Sequence, residues 1–177
     1  MKGMVVAPEP LAVEAGLSIL KKGGNAVDAA IAGAFAQGVV NPMLCGIGGS
    51  GLLLIHHAAF ERSFLLDCSC TMGSKSIPKS WADHYRGRSE AYGRYILENE
   101  ENQFGYKSIM VPGFVMGAWK AFEKYGSQQI SWEELIQPAK EFALTGFQVY
   151  PYIATFWFDK GDKPGYPNFF RKIEKNE

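Results

Sequence analysis

Residues 21–30 read Lys21-Lys22-Gly23-Gly24-Asn25-Ala26-Val27-Asp28-Ala29-Ala30. They close one helix and open the next. Two lysines in a last turn suit the negative end of a helix dipole. Gly23-Gly24 supply the left-handed stop. Asn25 is a good N-cap, and Asp28 stands in the first turn behind it. Upstream, Leu11, Ala12, Ala15, Ile19 and Leu20 recur at helical spacing behind Pro10, a residue suited to a first turn. Gly3–Ala7 predicts a short strand that Pro8 ends. Downstream, the second helix runs to about Val39 and is built from Ala29, Ala30, Ala32, Gly33, Ala34, Ala36 and Gly38. So little side-chain bulk lets a helix approach its neighbours closely, and this predicts deep burial. Asn41-Pro42 stops it.

Beyond that pair, Leu52–His57 and Ser63–Cys68 read as two strands with Ala58–Arg62 turning between them, an antiparallel hairpin. Leu52, Leu53, Leu54 and Ile55 are apolar in succession, which predicts cover on both faces. Residues 80–106 are charged, aromatic and aperiodic, and predict a surface insertion of helix and loop. Their mixed signs fit a solvated face. Val111-Pro112-Gly113 then opens a helix with a stripe of Phe114, Val115, Ala118, Phe122 and Tyr125, closed by Gly126. Ser131-Trp132-Glu133-Glu134 is a capping box. Behind it Leu135, Ile136, Ala139, Phe142 and Ala143 face inward. Pro138 predicts a kink or a split. After Tyr150 aromatic residues accumulate without a period, and 171–177 reads as an exposed end. With no internal repeat and no flexible linker, residues 1–177 read as a single domain.

The chain has 177 residues, 47% of them hydrophobic and 20% charged, which fits a packed core rather than disorder. Lys plus Arg and Asp plus Glu both number 18, so the formal net charge is zero. That balance argues against nucleic acid and against an anionic membrane surface as partners. The small apolar run from Ala26 to Val40 is shorter than the ~20 residues that span a bilayer, and it contains Asp28 and Gln37. No secretory n-region and h-region precede Gly3, so a cytoplasmic location is expected. Three cysteines, Cys45, Cys68 and Cys70, are too few for a disulfide framework and read as reduced thiols.

Motifs for chemistry are sparse. Gly46, Gly48 and Gly51 spell a dinucleotide fingerprint by letters, yet they follow a helix and lead into a strand. The pyrophosphate mechanism needs the reverse order, so a bend allowing close backbone packing is expected. His56 and His57 are adjacent and point to opposite faces of a strand. A zinc site from His56, Cys68 and Cys70 is conceivable across the hairpin. Ordinary packing or exposure is the expected state, and no metal or cofactor is assigned. No Gly-x-Ser-x-Gly elbow occurs.

Four segments together carry a resemblance. They are Gly3-Met4-Val5-Val6-Ala7; Leu11 to Ala36 with its Gly-Gly-Asn-Ala-Val-Asp-Ala-Ala core; Gly46 to Leu54; and Val111-Pro112-Gly113 through Gln137-Pro138-Ala139 to Gly146-Phe147. In content and order they resemble the start of the large subunit of the γ-glutamyltransferase (glutathione hydrolase) family. The resemblance implies an α+β fold, part of the αββα sandwich of the N-terminal-nucleophile hydrolases, incomplete in this chain. It implies a proenzyme that cleaves itself into two subunits. The new N-terminal threonine of the small subunit attacks a γ-glutamyl amide with its own amine as base, and backbone donors hold the oxyanion. The implied partners are the remainder of the large subunit, a small subunit carrying the nucleophile, and a γ-glutamyl or other acyl-amide small molecule.

Two departures follow. Thr71, Thr145 and Thr155 lack the family's Thr-Thr-His-like context, so no catalytic residue is carried over and the chain alone is expected to be inactive. The family's transferases usually carry Asp-x-Arg-Glu after the hairpin strand, where the arginine grips the substrate's α-carboxylate bidentately. Here the letters are Asp67-Cys68-Ser69-Cys70, and Ser69 takes the arginine's place. Asp67 and Ser69 are the candidate substrate-binding residues, Asp67 being equally suited to bonding local backbone. The expected function is the N-terminal fragment or split subunit of an amidohydrolase. The alternative is a non-catalytic binding or assembly module that retains the scaffold.

Overall fold

The computed structural model describes residues 3–77, 79, 81–90 and 93–158. The expected exposed end at 171–177 lies outside them. By contacts the chain divides into two units, one of residues up to Cys70 together with Pro112–Phe158, the other centred on Thr71–Val111.

The first unit stacks helices under a hairpin. Helix α1 is Pro10–Lys21 and α2 is Ala26–Val40. The 21–30 stretch joins them as its letters predict. Gly23 takes φ +100°, a left-handed value that glycine adopts without strain. Asn25 accepts from the N–H groups of Val27 and Asp28, while Asp28 accepts from Asn25 N–H at 2.9 Å. The two helices pack with almost nothing between their backbones. A Cβ on Gly33 would stand 3.2 Å from the Ala12 carbonyl oxygen, and one on Gly16 would stand 2.9 Å from that of Ala29.

Strands β1 (Gly51–His57) and β2 (Arg62–Cys68) pair antiparallel, with Gly51 opposite Cys68 and His57 opposite Arg62. A single turn at Ala58–Phe60, closed by Glu61 at φ 48°, joins them in place of a two-residue turn. Leu53, Ile55 and Leu66 point toward a core of Ile19, Ile31, Ala118, Ile130 and Leu135. Burying a leucine such as Leu135 fully contributes about 1.5–3 kcal/mol. Helices α3 (Phe114–Tyr125) and α4 (Trp132–Thr145) complete that core. Phe35 on α2 stands between Phe114 at 5.3 Å and Trp132 at 5.5 Å, in the tilted and edge-on geometries aromatic pairs prefer.

Several expectations need correcting. Gly3–Ala7 alternates in exposure as a strand does but has no ladder partner among the described residues. Leu52 and Leu54 are exposed, so the hairpin has one covered face, not two. Helix α2 is not buried all round: Ala26, Ala30 and Ala34 face outward. Ala143 on α4 is exposed too. Helix α4 runs through Pro138 unsplit. The proline removes only the bond to the Glu134 carbonyl, and the capping box with buried Leu135 and Ala139 holds both sides of it. The unpatterned tract after Tyr150 opens with helix α5 (Pro151–Phe158), begun by a proline.

The second unit holds no α-helix among its described residues, against the expectation of a helix. It has a short antiparallel pair, β3 (Tyr85–Arg88) and β4 (Tyr95–Leu97), with a bulge at Tyr85/Gly87. Arg86 bonds Glu98 at 2.6 Å, and Glu101 takes both His84 and Lys107. These pairs are exposed or half-exposed and contribute little each. No described helix is long and apolar enough to cross a membrane.

Candidate functional site

Cys68, Ser69 and the glycine bend meet at the N-terminus of α3. The end of β2 arrives there, because a Cβ on Gly113 would meet the carbonyl oxygens of Cys68 at 2.4 Å and Ser69 at 2.7 Å. Only glycine permits that crossing. One turn later a Cβ on Gly117 would overlap the Cys68 sulfur, 1.8 Å away, so α3 lies directly on the strand end. The glycine bend arrives from the other side. Phe114 N–H donates to the Gly49 carbonyl at 3.2 Å, and Gly46 passes α2 so closely that a Cβ on Gly38 would be 3.4 Å from its Cα. These glycines lead into β1 rather than opening a helix, so they form a packing bend and offer no helix terminus to a pyrophosphate.

Asp67 and Ser69 are brought together and both are exposed. One carboxylate oxygen of Asp67, Oδ1, accepts from Ser69 N–H at 2.9 Å and from the Ser69 hydroxyl at 2.5 Å. This is the local backbone turn an aspartate makes two residues ahead of itself. The Ser69 hydroxyl, then the Ser69 N–H, hold the Asp67 carboxyl below its ordinary value. The proton of Ser69 is therefore directed at Asp67, and the position carries no positive charge of its own. Burial, with Asp67 adding a smaller push, raises the Cys68 thiol. That is the opposite of what a thiolate nucleophile needs.

Other candidates are kept apart. The register sets His56 opposite Ser63 and Cys68 opposite Gly51. Five residue steps along a strand are about 17 Å, so His56, Cys68 and Cys70 cannot share an ion. His56 bonds Ser63 at 3.2 Å, while His57 lies against Phe60. The hydroxyl of Thr145 donates to the Glu141 carbonyl at 2.8 Å, and that of Thr155 to the Tyr152 carbonyl at 2.6 Å. Thr71 exchanges backbone hydrogen bonds with Val111.

Two polar groups escaped sequence reading. Glu9 is fully buried and accepts from Asn41 Nδ2 at 3.0 Å and from the Tyr152 hydroxyl. That contact raises the Tyr152 phenol. Gln37 is 7% exposed, and neither of its amide atoms is hydrogen-bonded among the described residues. Neither has a spacing signal; each is a single polar letter in an apolar stretch.

The sequence pattern of the family described as gamma-glutamyltranspeptidase matches residues 12–173. The chain belongs to that family. The acylase ACY 1 proenzyme of Pseudomonas sp. (strain V22) is 38% identical over 154 residues, 86% of this chain and 26% of that protein. The glutathione hydrolase proenzyme of Bacillus subtilis (strain 168) is 32% identical over 147 residues, 83% of this chain and 23% of that one. Among solved structures, the gamma-glutamyltranspeptidase of Pseudomonas nitroreducens complexed with L-DON superposes with a TM-score of 0.78 at 32% identity, over 97% of this chain and 48% of its own. The Helicobacter pylori gamma-glutamyltranspeptidase gives 0.75 at 31%, over 89% and 42%. The chain thus spans about a quarter of the length of the curated relatives it matches. Its α+β fold is part of the N-terminal-nucleophile hydrolase architecture of these gamma-glutamyltranspeptidases.

Proposed function

We propose that this chain is the N-terminal scaffold of an amidohydrolase that transfers or hydrolyses an acyl amide through a threonine supplied by another stretch of polypeptide. The observation that carries the reading is the family match along residues 12–173, with relatives that are proenzymes of a glutathione hydrolase and an acylase. In this reading the 177 residues are one partial domain, 80–106 is a surface insertion in it, and the chain acts with the rest of the large subunit and a small subunit. Its own hydroxyls support the division of labour. Thr145 and Thr155 are bonded to helix carbonyls, and a nucleophile must instead face its base.

Asp67 and Ser69 are proposed to border the acyl pocket. A hydroxyl directed at Asp67 cannot match an arginine's two-pronged hold on a carboxylate. The favoured substrate is therefore an acyl group without an α-carboxylate to anchor, rather than glutathione. The test is to assemble the chain with its complementary polypeptide and compare a γ-glutamyl anilide with a neutral acyl anilide. The neutral substrate should turn over faster, Ser69→Arg should raise γ-glutamyl turnover, and the chain alone should do neither. Strong hydrolysis by the isolated chain, surviving loss of all three threonines, would sink the proposal.

A further inference from the structure

Ser69 is exposed, yet its backbone is not free. Its neighbours Cys68 and Cys70 are buried and half-buried. The start of α3 lies on the two carbonyls that flank it. A Cβ on Gly113 would stand 2.4 Å from the Cys68 carbonyl oxygen, 2.8 Å from the Cys68 carbonyl carbon and 2.7 Å from the Ser69 carbonyl oxygen. Gly113 itself has φ −102° and ψ −19°, a conformation open to residues that carry a Cβ. Its dihedrals therefore do not ask for glycine; the two carbonyls do.

Each of those carbonyls belongs to a planar peptide group. The group of the Cys68 carbonyl carries the Ser69 N–H, and the group of the Ser69 carbonyl carries the Cys70 N–H. Holding both planes holds the two backbone dihedrals of Ser69, and these set the direction of its Cα–Cβ bond. The side chain keeps only the rotation about that bond. The hydrogen bonds agree with a fixed start. Ser69 N–H and the Ser69 hydroxyl reach the same oxygen, Asp67 Oδ1, at 2.9 and 2.5 Å. The clamp is itself anchored: Phe114, next after Gly113, donates its N–H to the Gly49 carbonyl at 3.2 Å, and Gly51 stands opposite Cys68 across the hairpin.

We infer that Gly113 is a positioning residue: by pressing on the peptide groups either side of Ser69, it fixes the direction from which the side chain of residue 69 enters the acyl pocket. This rests on the proposed place of Asp67 and Ser69 at that pocket. It goes further by giving substrate choice a second determinant, at the N-cap of α3, that touches no substrate. Any side chain at residue 69 borders the pocket correctly only while residue 113 has no Cβ. An added methyl must turn one or both peptide planes, and the side chain swings with them. Misplacing a substrate-holding group by about 1 Å costs up to about a hundredfold in turnover.

The test uses the chain alone and the chain assembled with the unmatched remainder of the Bacillus subtilis proenzyme. Alone, the wild-type backbone order parameter at Ser69 should match that of the helices, about 0.85, despite the exposure of the residue. Gly113→Ala should move the Asp67 carboxyl, followed by NMR, toward an ordinary aspartate, because the Ser69 donors turn away. Gly16→Ala is the comparison for plain destabilisation. Its Cβ would stand 2.9 Å from the Ala29 carbonyl oxygen, so it should lower the melting temperature and leave the Asp67 titration where it is. In the assembled form Ser69→Arg should raise turnover of a γ-glutamyl anilide. Adding Gly113→Ala should return kcat/KM to within about twofold of the Ser69 form, mainly through KM. A Ser69 order parameter below about 0.6 overturns the clamp and needs no variant to fold. So does an Asp67 titration that Gly113→Ala leaves unmoved, and so does a Ser69→Arg gain that survives Gly113→Ala. Failure of every assembled form to turn over substrate removes the proposed function, and the substrate role of Gly113 with it, while the two NMR results still decide whether the Ser69 backbone is held.

Discussion

Helix α2 meets two different surroundings. Toward α1, Gly33 and Ala36 are buried, and the two backbones approach until a single methyl group would press on the Ala12 carbonyl. On its outward side, Ala26, Ala30 and Ala34 have the same small side chains and are exposed. The same composition thus lines a packed interface on one side and an open face on the other. The lesson is that small residues report how closely something must approach, not whether that something is in the same chain.

The sharpest way to break this contrast is a paired substitution. Gly33→Leu should destabilise by about 3 kcal/mol, because overpacking a tight backbone contact forces both helices apart. Ala30→Leu, the same kind of change one turn earlier, should stay within about 0.5 kcal/mol of wild type in the isolated chain. Denaturant melts of both variants decide it. Equal losses would mean that the outward face is covered after all.

The closed side is also closed electrostatically at its N-terminal end. Asp28 is fully buried, and its Oδ2 accepts from Asn25 N–H at 2.9 Å and Ser127 N–H at 3.0 Å, while Asn25 Nδ2 donates to the Tyr125 carbonyl at 2.8 Å. The Gly-Gly-Asn-Ala-Val-Asp run is thus a joint between the start of α2 and the end of α3. Asp28→Asn keeps an acceptor but gives up charge-assisted bonds, and should cost about 2 kcal/mol. A melting point unchanged by that substitution would mean that the joint does not hold the two helices together.

These particulars also show what was legible beforehand. Caps are local, so Asn25 and Ser131 were readable, and the hairpin emerged within a residue of its expected ends. Cover is not local. Leu52–Ile55 is apolar in succession, on both faces of β1, yet Leu52 and Leu54 are exposed in this chain. The same holds for Gly3–Ala7, whose pattern is that of a strand but which has no ladder partner among the described residues. At the candidate site, the turn from Asp67 to Ser69 was foreseeable from residue type, but the crossing at Gly113 and the contact of Gly117 with Cys68 join positions about fifty residues apart and depend on tertiary packing. Gln37 and Glu9 had no periodic signature at all.

Gly117→Ala sharpens the comparison at the other end of the hairpin. The added methyl would coincide with the Cys68 sulfur, which must rotate away beneath an occupied helix. The expected loss is about 1–2 kcal/mol, within the range for overpacking. Cys68→Ala in the same chain should recover most of it, since a neighbouring pair couples. Failure of that rescue would place the strain in the backbone instead.

The smallest effect belongs to the exposed end itself. Asp67 is held acidic chiefly by the Ser69 hydroxyl and secondly by the Ser69 N–H. A carboxyl whose folded pKa is lowered adds stability that is present above the unfolded value of about 3.9 and is lost as pH falls through the folded value. Because Asp67 is solvent-exposed, that contribution is screened, and the titration is a better readout than the melt. Ser69→Ala removes the larger cause and keeps the backbone bond. The Asp67 carboxyl followed by NMR should then titrate closer to an ordinary aspartate, but still below it. If it does not move, the hydroxyl is not committed to Asp67 and remains available to a substrate. The pocket border would then be a donor, and the preference for acyl groups lacking an α-carboxylate would lose its physical basis.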